Sequence, residues 1–153
     1  MSKIAWIGVS AFAIFLVAGA WVRFAPSHPE TWHVDPDTVQ KTAKPNQYLV
    51  SDSSDADEPP VVLPVSSDTL WEKITEITSA DSSIQRLSSS ADRNLVTYIV
   101  RTPLMKYPDF LSLKVIERDG QAVLSIYSRS RFGYRDFGKN AERVRAFIDM
   151  LSN

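Results

Sequence analysis

Cysteine is absent from this chain of 153 residues, and histidine occurs only as His28 and His33. The missing cysteine excludes disulfides, thiolate metal sites, iron–sulfur clusters and cysteine nucleophiles. Both histidines precede residue 61, where the predicted domain begins, so that domain has neither a Ser-His-Asp triad nor a histidine metal site. The five glycines form no GxxxxGK[ST] phosphate-binding loop. Catalytic residues stay undetermined, and we predict no metal and no cofactor.

A large charge of either sign is also missing. The chain has 17 Lys and Arg residues against 18 Asp and Glu, which gives a net charge of −1. Residues 61–153 have a balance of +2, whereas residues 24–60 have a balance of −5. A positive excess of only two charges over residues 61–153 is too small to attract a polyanion to the domain as a whole, so we predict no nucleic-acid partner.

One long apolar run stands near the start of the chain. Ile4 to Val22 contains no charged residue. As a helix it is about 28 Å long, which matches the hydrocarbon thickness of a bilayer. Trp6 and Trp21 lie near its two ends, where aromatic rings favour the interface. We predict a transmembrane anchor over residues 1–23, with the lipid bilayer as the partner of Ile4 to Val22.

Two alternatives to an anchor stay open, namely a cleavable signal peptide and a buried helix of a soluble domain. Ala18-Gly19-Ala20 has the small-x-small form of a cleavage site. Apolar character nevertheless continues through Trp21 and Val22, and this favours a retained anchor. Lys3 and the N-terminal amine are opposed only by Arg23, which favours a cytoplasmic N-terminus and a domain on the outer side.

Residues 24–60 show no sustained periodicity. They hold six of the nine prolines and the acidic run Asp52 to Glu58, a composition typical of an extended, solvated tether. Trp32 to Pro36 and Tyr48 to Val50 are too apolar for a pure linker, so we expect them to pack on the domain or on the membrane surface. The predicted organisation is an anchor (1–23), a tether (24–60) and a domain (61–153).

The domain shows a β-α-β-β-β-β-α order of patterns. Ser66 or Ser67 is a helix cap, and Asp119-Gly120 predicts a tight hairpin. The predicted elements are strands at 61–65, 84–88, 95–101, 110–117 and 123–131, a helix after Ser67 with Leu70, Trp71, Ile74 and Ile77 on its apolar stripe, and a last helix from about Asn140. A small antiparallel sheet with two helices on one face buries these stripes, so the predicted fold class is α+β.

The segment from Ser128 to Asn140 places arginines where a strand ends and a helix begins. Strand alternation puts Arg129 and Arg131 on one face, opposite the apolar Ile126. Two guanidinium groups on one face can converge on a phosphate or carboxylate, and the helix N-terminus adds backbone donors. Arg101 joins this cluster if its loop lies nearby.

Acidic residues near these arginines leave a second interpretation open. The arginines pair with Asp136, Asp109 or Glu142 in that case, and the corner is purely structural. Asp136 can also cap the last helix through its side chain.

A family resemblance is carried by two motifs. They are Tyr107-Pro108-Asp109 and the run Ser128-Arg129-Ser130-Arg131-x-Gly133-x-x-Asp136-x-Gly138-x-Asn140-x-x-Arg143-Val144. Together they resemble the family called domain of unknown function 1499. Arg23 to Ser27 and Trp32 to Pro36 are similar to the lead-in of its membrane-anchored bacterial members. The resemblance implies a membrane-anchored bacterial protein and indicates no particular activity. Taken with the orientation predicted from the flanking charges, it gives a single-pass protein of the bacterial inner (cytoplasmic) membrane with a periplasmic domain.

The leading hypothesis is a membrane-anchored binding or interaction module that recognises an anionic group, such as a lipid headgroup or an envelope component. A partner protein of the envelope is also open. Arg129, Arg131 and Asn140 hold the anion in this hypothesis, and Asp109 and Asp136 orient the arginines. The predicted ligand-binding residues, which match the family motif, are Tyr107, Asp109, Arg129, Arg131, Asp136, Asn140 and Arg143.

Two other classes of function compete with this hypothesis. A hydrolase-like enzyme would use Asp109 or Asp136 as a general base, with arginine clamps on the substrate. A helix-grip-like carrier would hold an apolar ligand between its sheet and its last helix.

Overall fold

A computed structural model describes residues 3–92 and 94–152; Met1, Ser2, Arg93 and Asn153 lie outside the described residues, and with them the N-terminal amine and part of the predicted turn at 89–94. The helices are α1 (Lys3–Phe24), α2 (Pro29–Trp32), α3 (Ser67–Ala80) and α4 (Lys139–Ser152). The strands are β1 (Gln47–Val50), β2 (Val61–Leu63), β3 (Ile84–Ser89), β4 (Leu95–Arg101), β5 (Pro108–Arg118) and β6 (Gln121–Ser130).

Six antiparallel strands form one sheet. Five of them follow the order β1-β6-β5-β4-β3, and β2 also pairs with β6. The long strand β6 pairs with β5 along one side, and β1 and β2 share its other side. The β-α-β-β-β-β-α order predicted for residues 61–153 is confirmed, as is the α+β class. The hairpin predicted at Asp119-Gly120 joins β5 to β6, and both residues take positive φ angles there.

The helices α3 and α4 pack on the same face of the sheet. Leu70 and Ile74 of α3 and Phe147 of α4 are buried in one cluster with Leu113 of β5 and Ile126 of β6. Ser66 caps α3 by accepting a hydrogen bond from the backbone N–H of Thr69 at 3.2 Å. This helix-covered face holds the apolar core.

The segment predicted as a solvated tether differs from that prediction. Residues 47–50 form β1, and Leu49 and Val50 are fully buried. Pairing with β6 explains the difference, because this short apolar stretch gains ladder hydrogen bonds and buried area from a strand distant in sequence. The apolar content of Tyr48 to Val50 predicts packing on the domain or the membrane, and the first alternative is confirmed; that content does not identify β6 as the partner.

Residues 25–46 form what we call the strap, which crosses the second face of the sheet. Trp32 stacks on Phe110 with ring centroids 4.0 Å apart and planes 8° apart. His33 Nδ1 lies 2.9 Å from Thr97 Oγ1. The sequence predicts that Trp32 to Pro36 packs either on the domain or on the membrane surface, and in the structure it packs on the domain.

Salt bridges and hydrogen bonds fix the next part of the strap. Lys114 Nζ lies 2.6 Å from Asp35 Oδ2 and 3.0 Å from Asp37 Oδ2. Ser125 Oγ donates to Asp37 Oδ1 at 2.6 Å. Burial lowers the pKa of Lys114, but the two aspartates outweigh it and raise that pKa. The face of the sheet that residues 25–46 cross is the strap-covered face.

The N-terminal helix α1 carries the apolar run. Its window Trp6–Phe24 is long and apolar enough to cross a membrane, a test that signal sequences and core helices of soluble proteins also pass. None of this window is buried inside the protein, so it is not a core helix of this domain. Trp21 meets Phe132, with ring centroids 6.1 Å apart.

Candidate functional site

The structure distributes the predicted site residues over three places. Arg129 lies on the strap-covered face. Arg131 and Tyr107 lie at the end of the sheet beside α1. The helix-covered face holds the other four: Asp109, Asp136, Asn140 and Arg143. Strand alternation predicts the face of Arg129 correctly, but it does not bring the seven residues into one site.

Arg129 is buried beneath the strap, with 8% of its surface exposed. It donates to the backbone carbonyl of Trp32 and, at 3.4 Å, to Ser112 Oγ. Its guanidinium lies 4.6 Å from the centre of the Tyr127 ring. Burial lowers the pKa of Arg129 to about 10. The group is therefore held by backbone and aromatic rings, and the strap separates it from any ligand in solution.

Arg131 holds the start of the strap. Its Nη1 donates to the carbonyls of Ala25 at 3.1 Å and Pro26 at 2.9 Å. Burial lowers the pKa of Arg131, and the nearby charge of Arg101 lowers it further. Within the described residues, neither Arg129 nor Arg131 forms an ion pair, so the predicted pairing with Asp136, Asp109 or Glu142 is wrong. Alternation separates these arginines from Asp109, which shares its face with Leu111 and Leu113.

A polar cluster on the helix-covered face takes up the acids instead. Arg143 Nη2 lies 2.8 Å from Asp109 Oδ2, and Arg143 Nη1 donates to Asn140 Oδ1 at 2.9 Å. Burial raises the pKa of the Asp109 carboxyl, although the charge of Arg143 opposes that shift. Asn140 is only 1% exposed and also donates to the carbonyl of Asn46 at 2.8 Å. Sequence reasoning missed Asn46, which joins this cluster from the strap.

Asp136 caps α4, the role that the sequence predicts for it. Its Oδ2 accepts from the backbone N–H of Asn140 at 2.7 Å, and its Oδ1 accepts from that of Gly138 at 3.2 Å. Positive φ angles at Phe137 and Gly138 shape the turn into the helix. Both carboxylate oxygens are thus engaged by donors of the helix start, an arrangement that suits a cap better than a general base.

Four cationic residues lie at the end of the sheet beside α1, and we call them the basic rim: Arg23, Arg101, Lys106 and Arg131. Arg101 Nη1 donates to the carbonyls of Arg23 at 2.8 Å and Lys106 at 3.2 Å. No ion pair involves any of the four in the described part of the chain. Lys106 lies close enough to Asp81 to contribute to a lowered pKa of that carboxyl, behind the hydrogen bonds from Ser83. The rim therefore keeps most of its positive charge.

Apolar side chains project beside the basic rim. Leu104 is 87% exposed and Phe24 is 76% exposed. Met105 is also exposed. Tyr107, predicted as a ligand-binding residue, instead packs edge-on against Phe132, with ring centroids 6.4 Å apart. Exposed apolar groups between cations are typical of a surface that meets a membrane.

A cleft of about 410 Å³ lies on the helix-covered face, between α4 and strands β3, β4 and β5. Its floor includes Ile84, Val100 and Leu111, and Phe147 and Met150 form part of its wall. Residues 101–103 also line it at the end of β4, but strand alternation turns the Arg101 side chain to the opposite face, beside Arg131. A larger depression of about 880 Å³ lies between α3 and strands β3 and β4, away from the rim. Across residues 3–92 and 94–152, no three His, Cys, Asp or Glu side chains are placed to hold a metal ion.

Comparison with known proteins adds a family and no activity. No curated protein matches the chain. The model of a family described as a protein of unknown function, DUF1499, matches residues 35–151. That match covers most of the chain, including half of the strap, the whole sheet and nearly all of α4. The resemblance predicted from the two motifs is confirmed, and the chain belongs to the DUF1499 family.

Proposed function

We propose that this protein is a single-pass protein of the bacterial inner membrane whose periplasmic domain lies against the bilayer and binds anionic lipid headgroups through the basic rim. The observation that carries the proposal is the convergence of four cations, without ion pairs among the described residues, at the point where α1 meets the domain. The position differs from the expected Arg129 and Arg131 pair, since only Arg131 belongs to the rim.

The geometry at the end of α1 supports contact between the rim and the bilayer surface. Arg101 binds the carbonyl of Arg23, within the last turn of the apolar window that ends at Phe24, and Arg131 binds the carbonyls of Ala25 and Pro26, which directly follow it. If that window spans the bilayer, the rim lies at the level of the headgroups. Each Lys or Arg near an anionic surface contributes about 1 kcal/mol of attraction, and exposed apolar side chains such as Leu104 add insertion.

The proposal is tested with the full chain in lipid nanodiscs. Because the protein has no cysteine, Leu104→Cys accepts a single environment-sensitive fluorophore. We expect blue-shifted emission, and quenching by spin-labelled lipids, in discs that contain phosphatidylglycerol. Both signals should weaken in phosphatidylcholine discs and at high salt.

A charge variant separates headgroup binding from simple proximity. Arg23→Gln with Lys106→Asn removes two rim charges whose side chains make no hydrogen bond in the described residues, and asparagine tolerates the positive φ of residue 106. This variant should lose the dependence on anionic lipid. Arg86→Gln with Arg118→Gln removes equal charge away from the rim and should behave as wild type. Equal emission in both kinds of disc for all proteins would overturn the proposal.

The side of the membrane is tested separately. A membrane-impermeant thiol reagent should label Glu72→Cys, an exposed position of α3 away from the basic rim, in intact spheroplasts if the domain is periplasmic. A reporter fused after Asn153 gives an independent assignment. Labelling only after the membrane is permeabilised would place the domain in the cytoplasm.

A further inference from the structure

The loop between β6 and α4, residues 131–138, holds two aromatic side chains out in solvent, and we call it the aromatic loop. Phe137 is 92% exposed and takes a φ of 56°, in the left-handed region that bulky residues avoid. Tyr134 is 62% exposed. A single exposed apolar side chain is ordinary, but Phe137 also carries a strained backbone and packs against little in return. Such strain commonly marks a functional contact.

Contacts on both sides of Phe137 hold the aromatic loop in this shape. Asn46 Nδ2 donates to the carbonyl of Gly133 at 2.9 Å. The Asp136 carboxylate accepts from the backbone N–H groups of Gly138 and Asn140 at the start of α4. The exposure of Phe137 is therefore a property of the fold, because the backbone that carries the ring is tied to β1 and α4 through these bonds.

The aromatic loop lies at the same end of the sheet as the basic rim. β4 ends opposite the first residue of β5, and β6 ends opposite the second. The two strands therefore end side by side, roughly 10 Å apart across β5. The loop that follows β4 carries the exposed Leu104, and the loop that follows β6 carries Phe137. Arg131, at the start of the aromatic loop, holds Ala25 directly after α1.

Charge around Phe137 favours a phospholipid surface as its partner. Arg131 and Arg135 make no ion pair among the described residues. Asp136 caps α4, and Lys139 is paired with Glu142 at 2.6 Å. The free cations on the loop can therefore meet lipid phosphates, while aromatic rings beside them favour the interface of a bilayer.

We propose that the aromatic loop is a second membrane contact, in which Phe137 inserts below the lipid headgroups and Tyr134 lies among them. Together with the loop that carries Leu104, it would fix the tilt of the sheet relative to the bilayer. The proposal rests on the proposed function, because it requires the domain to lie against the membrane. Its physical basis is different, since insertion of an apolar ring persists in zwitterionic lipid and at high salt.

Spin labels measure the depth of the aromatic loop in the full chain, reconstituted into nanodiscs. A nitroxide on Phe137→Cys should be more accessible to oxygen, which concentrates in hydrocarbon, than to a water-soluble nickel complex. Val62→Cys is the control, since Val62 is exposed on β2 and pairs near the start of β6, at the opposite end of the sheet. Its nitroxide should be more accessible to the nickel complex. We expect both results in phosphatidylglycerol and in phosphatidylcholine discs.

A substitution that relaxes the backbone separates insertion from folding. Phe137→Asn removes the ring, and asparagine tolerates a positive φ better than phenylalanine, so the denaturant midpoint should stay equal or rise. The probe is a fluorophore on Tyr134→Cys, quenched by spin-labelled lipids. Phe137→Asn should lower the ratio of inserted to lifted loop about tenfold, because burial of a phenylalanine ring improves partitioning by at least that factor. Val62→Thr, a matched change at the far end, should behave as its parent protein.

The outcomes distinguish this proposal from headgroup binding. A water-exposed nitroxide at residue 137 in both lipids, or equal quenching in Phe137→Asn and its parent, would overturn the second contact. Headgroup binding would still stand if the Leu104→Cys response were normal. An inserted nitroxide at residue 137, with a Leu104→Cys response that ignores lipid charge, would support the second contact and refute headgroup binding alone.

Discussion

On one face of the sheet, α3 and α4 cover a continuous apolar core; on the other, the strap covers hydroxyls, a lysine and an arginine. The helix-covered face holds fully buried residues such as Leu113 and Ile126. The strap-covered face pairs Thr97, Lys114 and Arg129 with residues of the strap. The first face gains stability from removing apolar area from water. The second depends on satisfied hydrogen bonds, so losing one strap contact leaves its partner unpaired.

The largest expected effect lies on the helix-covered face. Leu113→Ala removes a fully buried side chain from the core cluster, and the cavity should lower the free energy of unfolding by about 3–4 kcal/mol. Denaturant unfolding of the full chain in micelles, followed by circular dichroism, measures this loss. If Leu113→Ala lowered the free energy of unfolding by less than Trp32→Ala does, the two faces would not differ in the way described.

Removing the strap's main aromatic contact comes second. Trp32→Ala loses the ring stacked at 4.0 Å on Phe110 and uncovers that buried ring. We expect a smaller loss of global stability, about 2 kcal/mol, because Trp32 is only half buried. Hydrogen exchange should rise sharply in residues 25–46 and little in α3. Trp71→Ala, a half-buried tryptophan of the helix-covered side, should show the opposite distribution of exchange.

The salt bridges of the strap give a smaller effect. Lys114→Met removes the cation between Asp35 and Asp37, whose carboxylates then repel each other. Partly exposed pairs contribute little, so we expect about 1 kcal/mol or less. Wild-type strap protection should fall with added salt, whereas that of the Met variant should rise, because salt screens the repulsion between Asp35 and Asp37. Arg118→Met, which breaks an exposed pair with Asp52 elsewhere, is the matched control.

The smallest effect is a pH dependence confined to the strap-covered face. Burial lowers the pKa of His33 from its usual 6.5, and the charge of Arg129 lowers it further. The unfolded chain therefore binds a proton before the folded one does. This contribution to stability is complete above pH 6.5 and declines as the pH falls through the window below it. Exchange of residues 30–36 should increase in that window, and His33→Gln should remove the change.

Much of the fold follows from local patterns, and the strap shows where these patterns fail. Alternation predicts β4, and capping predicts that α3 starts at Ser66 or Ser67, since these features depend on neighbours within a few residues; the structure has Ser66 as the cap. The strap depends on contacts such as Trp32 with Arg129, 97 positions apart. Its only sequence signal is the apolar content of Trp32 to Pro36 amid prolines and acids.

The candidate site was predictable in part for the same reason. The alternation of side chains along a strand assigns Arg129 and Arg131 to one face. The same alternation places Asp109 with Leu111 and Leu113, and so away from both arginines. Arg23, Arg101 and Lys106 belong to three separate segments, and only the folded chain brings them to Arg131. Sequence suggests Arg101 alone among these three.

The bond between Arg131 and the first residues of the strap also sets the reach of the domain. A free chain of the 36 residues between α1 and residue 61 would have a root-mean-square end-to-end distance of roughly 30–35 Å. Here Ala25, the first residue after α1, is already held by Arg131 at 3.1 Å. In the proposed membrane-anchored arrangement, this bond holds the domain at a short, fixed distance from the end of α1. The domain would then reach only partners within about its own diameter of the bilayer surface, whereas a domain on a free chain would reach further.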